Sequence, residues 1–436
     1  MASPQRTTLS RRTLLRLAGG TAAAAGLTAC APSAGPVGGG GGGGNRITVG
    51  VESGSPHETF FSQRAAQFTQ ATGIQVEFLG VPHANMHQQF LSDALSGAGA
   101  YDVLATDQPW VPEFAAKGFL LPLDDRLAPG DRDDFVPGTL ETVSYDGALY
   151  GLPFMVHNLV LYYRTDLFEA AGISAPPTTW DEYREYARRL TDPAAGVWGT
   201  LVPGKQDGEV ATRIHSFLQQ AGGDVVDATG AASFDSEPAR AAFALMTGIQ
   251  FDDHSSPDGL HDLTTMQGLF LQGKVAMAPV WPYLYSLGQD PAQSQVAGRF
   301  AVALHPGEHQ GATTYSWGFG ISAASRNADA AWRFVQWATN TEQLTGYGKD
   351  QVNPVPRASA VEALTADGEI DEAGRRAIAT FSESVERSTT IPMVPAYPQL
   401  QNDMAVAASA VMARSKTVDQ ALADAQASMT QALRSS

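Results

Sequence analysis

Ile47-Thr48-Val49-Gly50-Val51, Ile74-Gln75-Val76-Glu77-Phe78 and Tyr101-Asp102-Val103-Leu104-Ala105 are three short apolar-rich runs, and the residues between them decide the fold. Phe60 to Ala71 has helical spacing, with Phe61, Ala65 and Phe68 on one face and Gly73 as a stop. His87 to Leu95 repeats that pattern with Phe90, Leu91 and Leu95 inward. Strand, helix, strand, helix, strand predicts an α/β lobe with a largely parallel sheet.

The rhythm continues through the rest of the chain. Strands are expected at Leu159–Tyr163, Val275–Pro279, Phe300–Leu304 and Phe319–Ile321. Helices are expected from Thr179, a plausible N-cap, to Leu190, and at 238–249, 266–271, 328–339, 404–413 and 418–433. The 436 residues exceed one ordinary core, so two domains are expected. A net charge of −17 argues against nucleic acid and anionic lipid as partners. Mean hydropathy of −0.14 suits a globular body, and no segment after residue 30 has the roughly eighteen apolar residues of a membrane span.

The first thirty residues differ in kind. Arg6, Arg11, Arg12 and Arg16 precede or open an apolar run from Leu17 to Ala29, the order of an export signal. Ser10-Arg11-Arg12-Thr13-Leu14-Leu15 resembles a twin-arginine signal, and Leu27-Thr28-Ala29-Cys30 resembles a bacterial lipobox. Cys30, the single cysteine, is expected to carry lipid once residues 1–29 are removed. Residues 30–45, with glycine from Gly38 to Gly44, read as a flexible tether. The loss of four arginines leaves the mature body near −21.

Several stretches together resemble the extracellular solute-binding protein family 1, the sugar-binding lipoproteins of ABC importers that include the maltose-binding protein. They are Tyr101–Asp107 with Phe114–Leu123, Tyr150–Phe154 with Leu161–Phe168, Pro177–Glu182, Phe270–Met277, Gly320–Ser322 with Asp329–Phe334, and Ile391–Pro395 with Thr417–Leu422. Their order covers nearly all of residues 46–433. The resemblance implies a two-lobed periplasmic-binding-protein-like α/β fold (type II) with a ligand cleft between lobes. The lobes are expected at 46–155 with 283–346, and at 156–282 with 347–436, the chain crossing near 155, 280 and 350. The implied partners are a carbohydrate or polyol ligand and the permease subunits of an importer, with membrane contact through lipid. A monomer without cofactor or metal is expected.

A neutral polyol offers hydroxyls to pair and C–H faces to stack on aromatic rings. Trp281 and Tyr283 follow an expected strand at a crossing, and Tyr315 and Trp317 precede another. The resemblance places Glu52, Ser53 and His57 in a first ligand loop, and Asp107, Gln108 and Trp110 after the Tyr101–Ala105 strand. His157 and Asn158 stand where the maltose-binding protein has a carboxylate and its neighbour. Asn353, Arg357 and Tyr397 fall in later loops that face the cleft. Trp180, Trp332 and Trp337 sit in helical patterns and are expected to pack. A secreted carbohydrate-active hydrolase and a ligand-sensing surface lipoprotein remain alternatives. The hydrolase needs two carboxylates about 5–10 Å apart. No zinc motif His-Glu-x-x-His and no Gly-x-Ser-x-Gly elbow occurs.

Overall fold

The computed structural model describes residues 45–436. The expected signal, Cys30 and all but the last residue of the tether lie outside the described residues. The first helix, Pro56–Thr72, starts a turn earlier than its apolar spacing suggests. Ser55 caps it by accepting from the Glu58 amide, Pro56 fits a first-turn position, and Gly73 ends it at φ 75°. The second helix likewise begins at His83, directly after Pro82, and runs to Ser96.

These helices connect the parallel strands Arg46–Glu52, Gln75–Val81 and Val103–Asp107. Across the sheet the order is 389–390, 313–321, 103–107, 46–52, 75–81, and Gly151–His157 also pairs with 313–321. The 313–321 strand runs antiparallel to 103–107 and 151–157. Glu52, Val81 and Asp107 end their strands on the same side, where open α/β sheets form a crevice.

A second sheet has Val160–Arg164 at its centre, antiparallel to Met277–Val280 and Phe300–Ala303. The boundary expected at 283 would place Phe300–Ala303 with the first lobe, whereas its ladder lies in the second sheet. Tyr162 needs cover on both sides, and Phe270 and Phe300 each pack 5.8 Å from its ring. Conversely, Val355, Ala360 and Leu364 pack on the core of the first sheet, although they follow the crossing expected at 350. The chain leaves the first sheet at His157, enters the second at Val160, and returns to the first at Thr313.

Thr313–Ile321 is nine residues long and buried throughout, far longer than the expected Phe319–Ile321. Its Trp317 belongs to the core of the first sheet, and its Tyr315 to the core beneath the second. Thr313 and Thr314 pair with Thr389 and Thr390. Just before them, Gly311 passes so close to the Arg387 carbonyl that any Cβ would collide with backbone. Gly311→Ala should therefore push the two segments apart and cost about 3 kcal/mol, measured by urea unfolding. Wild-type stability in that variant would show that the close approach is slack.

Candidate functional site

One wall of the crevice is built on the carboxyl ends of the parallel strands. Glu52 is half-buried at the end of its strand, and His57 is buried in the first turn of the helix that follows. His83 opens the next helix, and its Nε2 lies 3.5 Å from Asp107 Oδ2. Trp317 is held in register between Asp107 on one neighbouring strand and Met155 on the other. Its ring centre is 5.3 Å from His57, 5.7 Å from His83 and 5.9 Å from Trp110. Two carboxylates thus sit at the rim of a tryptophan–histidine cluster.

The facing wall comes from the second core. Trp281 follows the 277–280 strand and stacks 4.6 Å from His157, with Tyr315 edge-on at 5.9 Å. His157 and Tyr315 are partners in the sheet register. Trp281 Nε1 donates to Glu209 Oε2 at 3.0 Å. The other oxygen of Glu209 takes two bonds from Arg213, at 2.9 and 2.5 Å, so that guanidinium is already neutralised. Gln267 donates to the Tyr283 hydroxyl. Tyr397 lies behind, its hydroxyl 3.3 Å from that of Tyr315.

Electrostatics couples the walls. Burial, joined by the charges of Glu209 and Glu52, pushes the Tyr283 hydroxyl up. Burial pushes Tyr315 up to about 12, and the Asp107 charge from the opposite wall adds to it. Burial also raises Glu52; His83 opposes the rise and Asp107 reinforces it. His83 is itself raised, chiefly by its hydrogen bond to Asp107. His57 and His157 are driven down to about 3, in both cases first by burial, so both rings are neutral. Nε2 of His57 and Nδ1 of His157 are buried with no hydrogen-bond partner. A neutral imidazole nitrogen either donates or accepts, and a hydroxyl can answer in both senses.

Not every residue expected at the site converges there. Arg357 turns away: it donates to the Thr339 carbonyl, pairs with Asp134 at 3.0 Å and lies 4.3 Å over the Phe135 ring. The Asn158 amide is fully buried and donates to the Ser384 carbonyl at 2.8 Å, a pin at the passage between sheets. Asn353 points its amide to Met155 Sδ at 3.3 Å. Gln108 binds Thr390 Oγ1 at 2.6 Å and so ties the end of the Val103–Asp107 strand to the 389–390 strand. Ser53 is exposed, and its amide bonds the Val81 carbonyl at 2.9 Å. Arg357 and Asn158 thus spend their donors on backbone carbonyls or a carboxylate, Asn353 on a thioether and Gln108 on a hydroxyl.

Sequence reasoning missed His83, Glu209, Arg213 and Gln267. His83 had a readable signal, since it follows the second parallel strand as Glu52 and Asp107 follow the first and third. Glu209 and Arg213 lie on Gly208–Gln220, a helix buried without a break from Glu209 to Leu218. Val210, Ile214, Phe217 and Leu218 form a readable apolar stripe, but nothing in the sequence says that the polar face opposite it is buried as well.

A two-sheet α/β body with an aromatic, carboxylate-rimmed crevice between its cores defines the two-lobed class of solute-binding proteins. The sequence model for the bacterial extracellular solute-binding protein family matches residues 38–345, and the chain belongs to that family. It is 31% identical over 272 residues to the mannitol-binding protein of Pseudomonas aeruginosa, covering 61% of each chain. That match spans less than two-thirds of the relative's length. Among solved structures, a solute-binding protein of Agrobacterium radiobacter K84 in complex with ribitol is similar at a TM-score of 0.80 and 24% identity, covering 89% of this chain and 99% of that one. Maltose-bound MalE3 of T. maritima also gives 0.80 and 24%, covering 88% and 98%. These likenesses show the fold.

Two outcomes test this geometry. His157 is held below its ordinary value of 6.5, so below that pH the unfolded chain binds the extra proton. Its contribution is intact above about 6.5 and is lost as pH falls toward 3, at up to about 1.4 kcal/mol per pH unit. His157→Asn should flatten the fall in stability between pH 7 and 5; an unchanged slope in urea melts would refute the neutral buried ring. Arg357→Met should lower stability by about 2–3 kcal/mol, from lost charged hydrogen bonds, while calorimetric solute affinity stays at the wild-type value.

Proposed function

We propose that this chain is the lipid-anchored capture subunit of an ABC importer for a neutral polyol or sugar, held outside the cell by Cys30. The observation that carries the ligand class is the pairing of apolar rings with unspent polar groups. Trp317 and Trp110 on one wall and Trp281 and Tyr315 on the other offer ring surface to C–H faces. The carboxylates Glu52 and Asp107 and the two unpaired imidazole nitrogens offer matches for hydroxyls. Arg213 is neutralised by Glu209, so an anionic solute would meet Glu52 and Asp107 without a compensating guanidinium there. The relatives named for mannitol, ribitol and maltose support the same class.

The first lobe would comprise the 46–157 segment with the 313–321 strand and the helices packed on it. The second would comprise the 160–303 segment with Tyr397–Met412 and Val418–Ser435. Closure about the two passages between sheets would bring Asp107 and Glu52 onto solute already resting on Trp281. The energy for closure comes from contacts made only in the closed state. Lipid on Cys30 would keep the body beside its permease, and the glycine run would let it turn to dock.

Native mass spectrometry of the purified protein identifies what co-purifies, and calorimetry against D-mannitol, ribitol, maltose and a uronate ranks the classes. Uncharged solutes should bind and the uronate should not. Trp317→Ala should weaken binding at least about tenfold, the loss of one buried stacking contact. Turnover of a bound sugar would replace the capture reading with a hydrolase. Cys30→Ser should release the protein from the cell with its solute affinity intact.

A further inference from the structure

Behind the aromatic faces of the second wall, a line of polar groups runs from Tyr315 to Asp224. Tyr315 and Tyr397 meet hydroxyl to hydroxyl at 3.3 Å. Tyr397 is 2.9 Å from Nδ1 of His215, and Nε2 of His215 is 2.8 Å from Asp224 Oδ1. His215 is fully buried on the Gly208–Gln220 helix. Asp224 is fixed in turn: the Val225 amide donates to Oδ1 at 2.6 Å and Gln219 Nε2 to Oδ2 at 3.1 Å. Gln219 spends its remaining capacity on the Thr390 carbonyl and the Thr313 hydroxyl, at 3.0 and 2.8 Å. Every member is therefore held from more than one side.

Such a chain has a direction. A carboxylate only accepts, so the bond to Asp224 puts the ring proton of His215 on Nε2. With a single proton on the ring, Nδ1 is then an acceptor, and Tyr397 donates its proton to it. The Tyr397 oxygen is left with lone pairs alone, 3.3 Å from the Tyr315 hydroxyl, which can donate to it. Burial would raise the Asp224 carboxyl, yet the bonds from His215, Gln219 and the Val225 amide hold it below its ordinary value, as an acceptor role requires.

We propose that Asp224 and His215 are positioning residues that fix the proton direction of the Tyr397–Tyr315 pair, so that Tyr315, donating to the buried Tyr397, meets a polyol or sugar hydroxyl as an acceptor. This rests on the crevice being the solute site. Asp224→Ala removes the acceptor that pins the ring proton to Nε2, so the ring can place it on Nδ1 and the direction of the chain is released.

Nitrogen-15 NMR of the histidine rings reads the tautomer without any solute. Wild-type His215 should carry its proton on Nε2 at pH 7, and Asp224→Ala should show a mixture of the two tautomers. A wild-type Nδ1–H tautomer or an imidazolium overturns the proposal. With D-mannitol, ribitol and maltose as calorimetric probes, Asp224→Ala should weaken binding about tenfold in the wild-type background and not at all in Tyr397→Phe. An equal loss in both backgrounds means that Asp224 acts through general packing, and also overturns it. If wild-type protein binds none of the three probes, the capture function fails, and the tautomer measurement alone decides the positioning.

Discussion

The ladder of Thr313–Ile321 is the constraint on which the two halves of the site depend. One extended segment places Tyr315 in one core and Trp317 in the other, on the same face and roughly 7 Å apart along the strand. Its bonds to 103–107 and 151–157 lock Trp317 opposite Asp107 and Tyr315 opposite His157. A slip of one residue would turn both aromatic rings to the opposite face. The spacing between Tyr315 and Trp317 is thus set by backbone geometry, which is stiffer than any loop. These two rings arrive at a solute with little left to order.

Burial of polar groups is the second theme, and it is concentrated on one helix. Gly208–Gln220 puts Glu209, Arg213 and His215 where the solvent does not reach, and each has a partner: Arg213 for Glu209, Asp224 for His215. Removing one member of such a pair strands the other in a poor dielectric, so the set persists together or fails together. The unpaired nitrogens of His57 and His157 break this rule at the crevice. Other buried orphans are scattered among the described residues, with Ser216 Oγ on this same helix and Asn158 Oδ1 and Ser384 Oγ at the passage between sheets.

Much of this was legible in the sequence, and the failures have physical causes. The alternation from Arg46 to Ala105 announced a parallel sheet because each helix there carries a clean apolar stripe. Trp281, Tyr283, Tyr315 and Trp317 could be singled out because aromatics beside strand ends have few other uses, and the structure sets Trp281 edge-on to Tyr315 and Trp317 in register with Met155. Arg357 misled because a loop position says nothing about the distant Asp134 that captures it. The roles of Glu209 and His215 were hidden because their helix has an ordinary apolar stripe, and the burial of its polar face comes from distant segments. The lobe boundaries drifted because Phe300–Ala303 is chosen by its ladder with Val160–Arg164, a long-range pairing that local periodicity does not encode.

The outermost strand of the first sheet, Gln75–Val81, leaves one row of backbone groups without a ladder partner among the described strands. Seven residues of open edge, with Leu79 exposed, would template another copy of the chain wherever copies are concentrated. Glu77, paired with Arg46 of the neighbouring strand, puts charge on that edge. The acidic balance of the whole chain adds mutual repulsion between like molecules. Wherever copies are concentrated, that repulsion works against an open sheet edge extending from one molecule to the next.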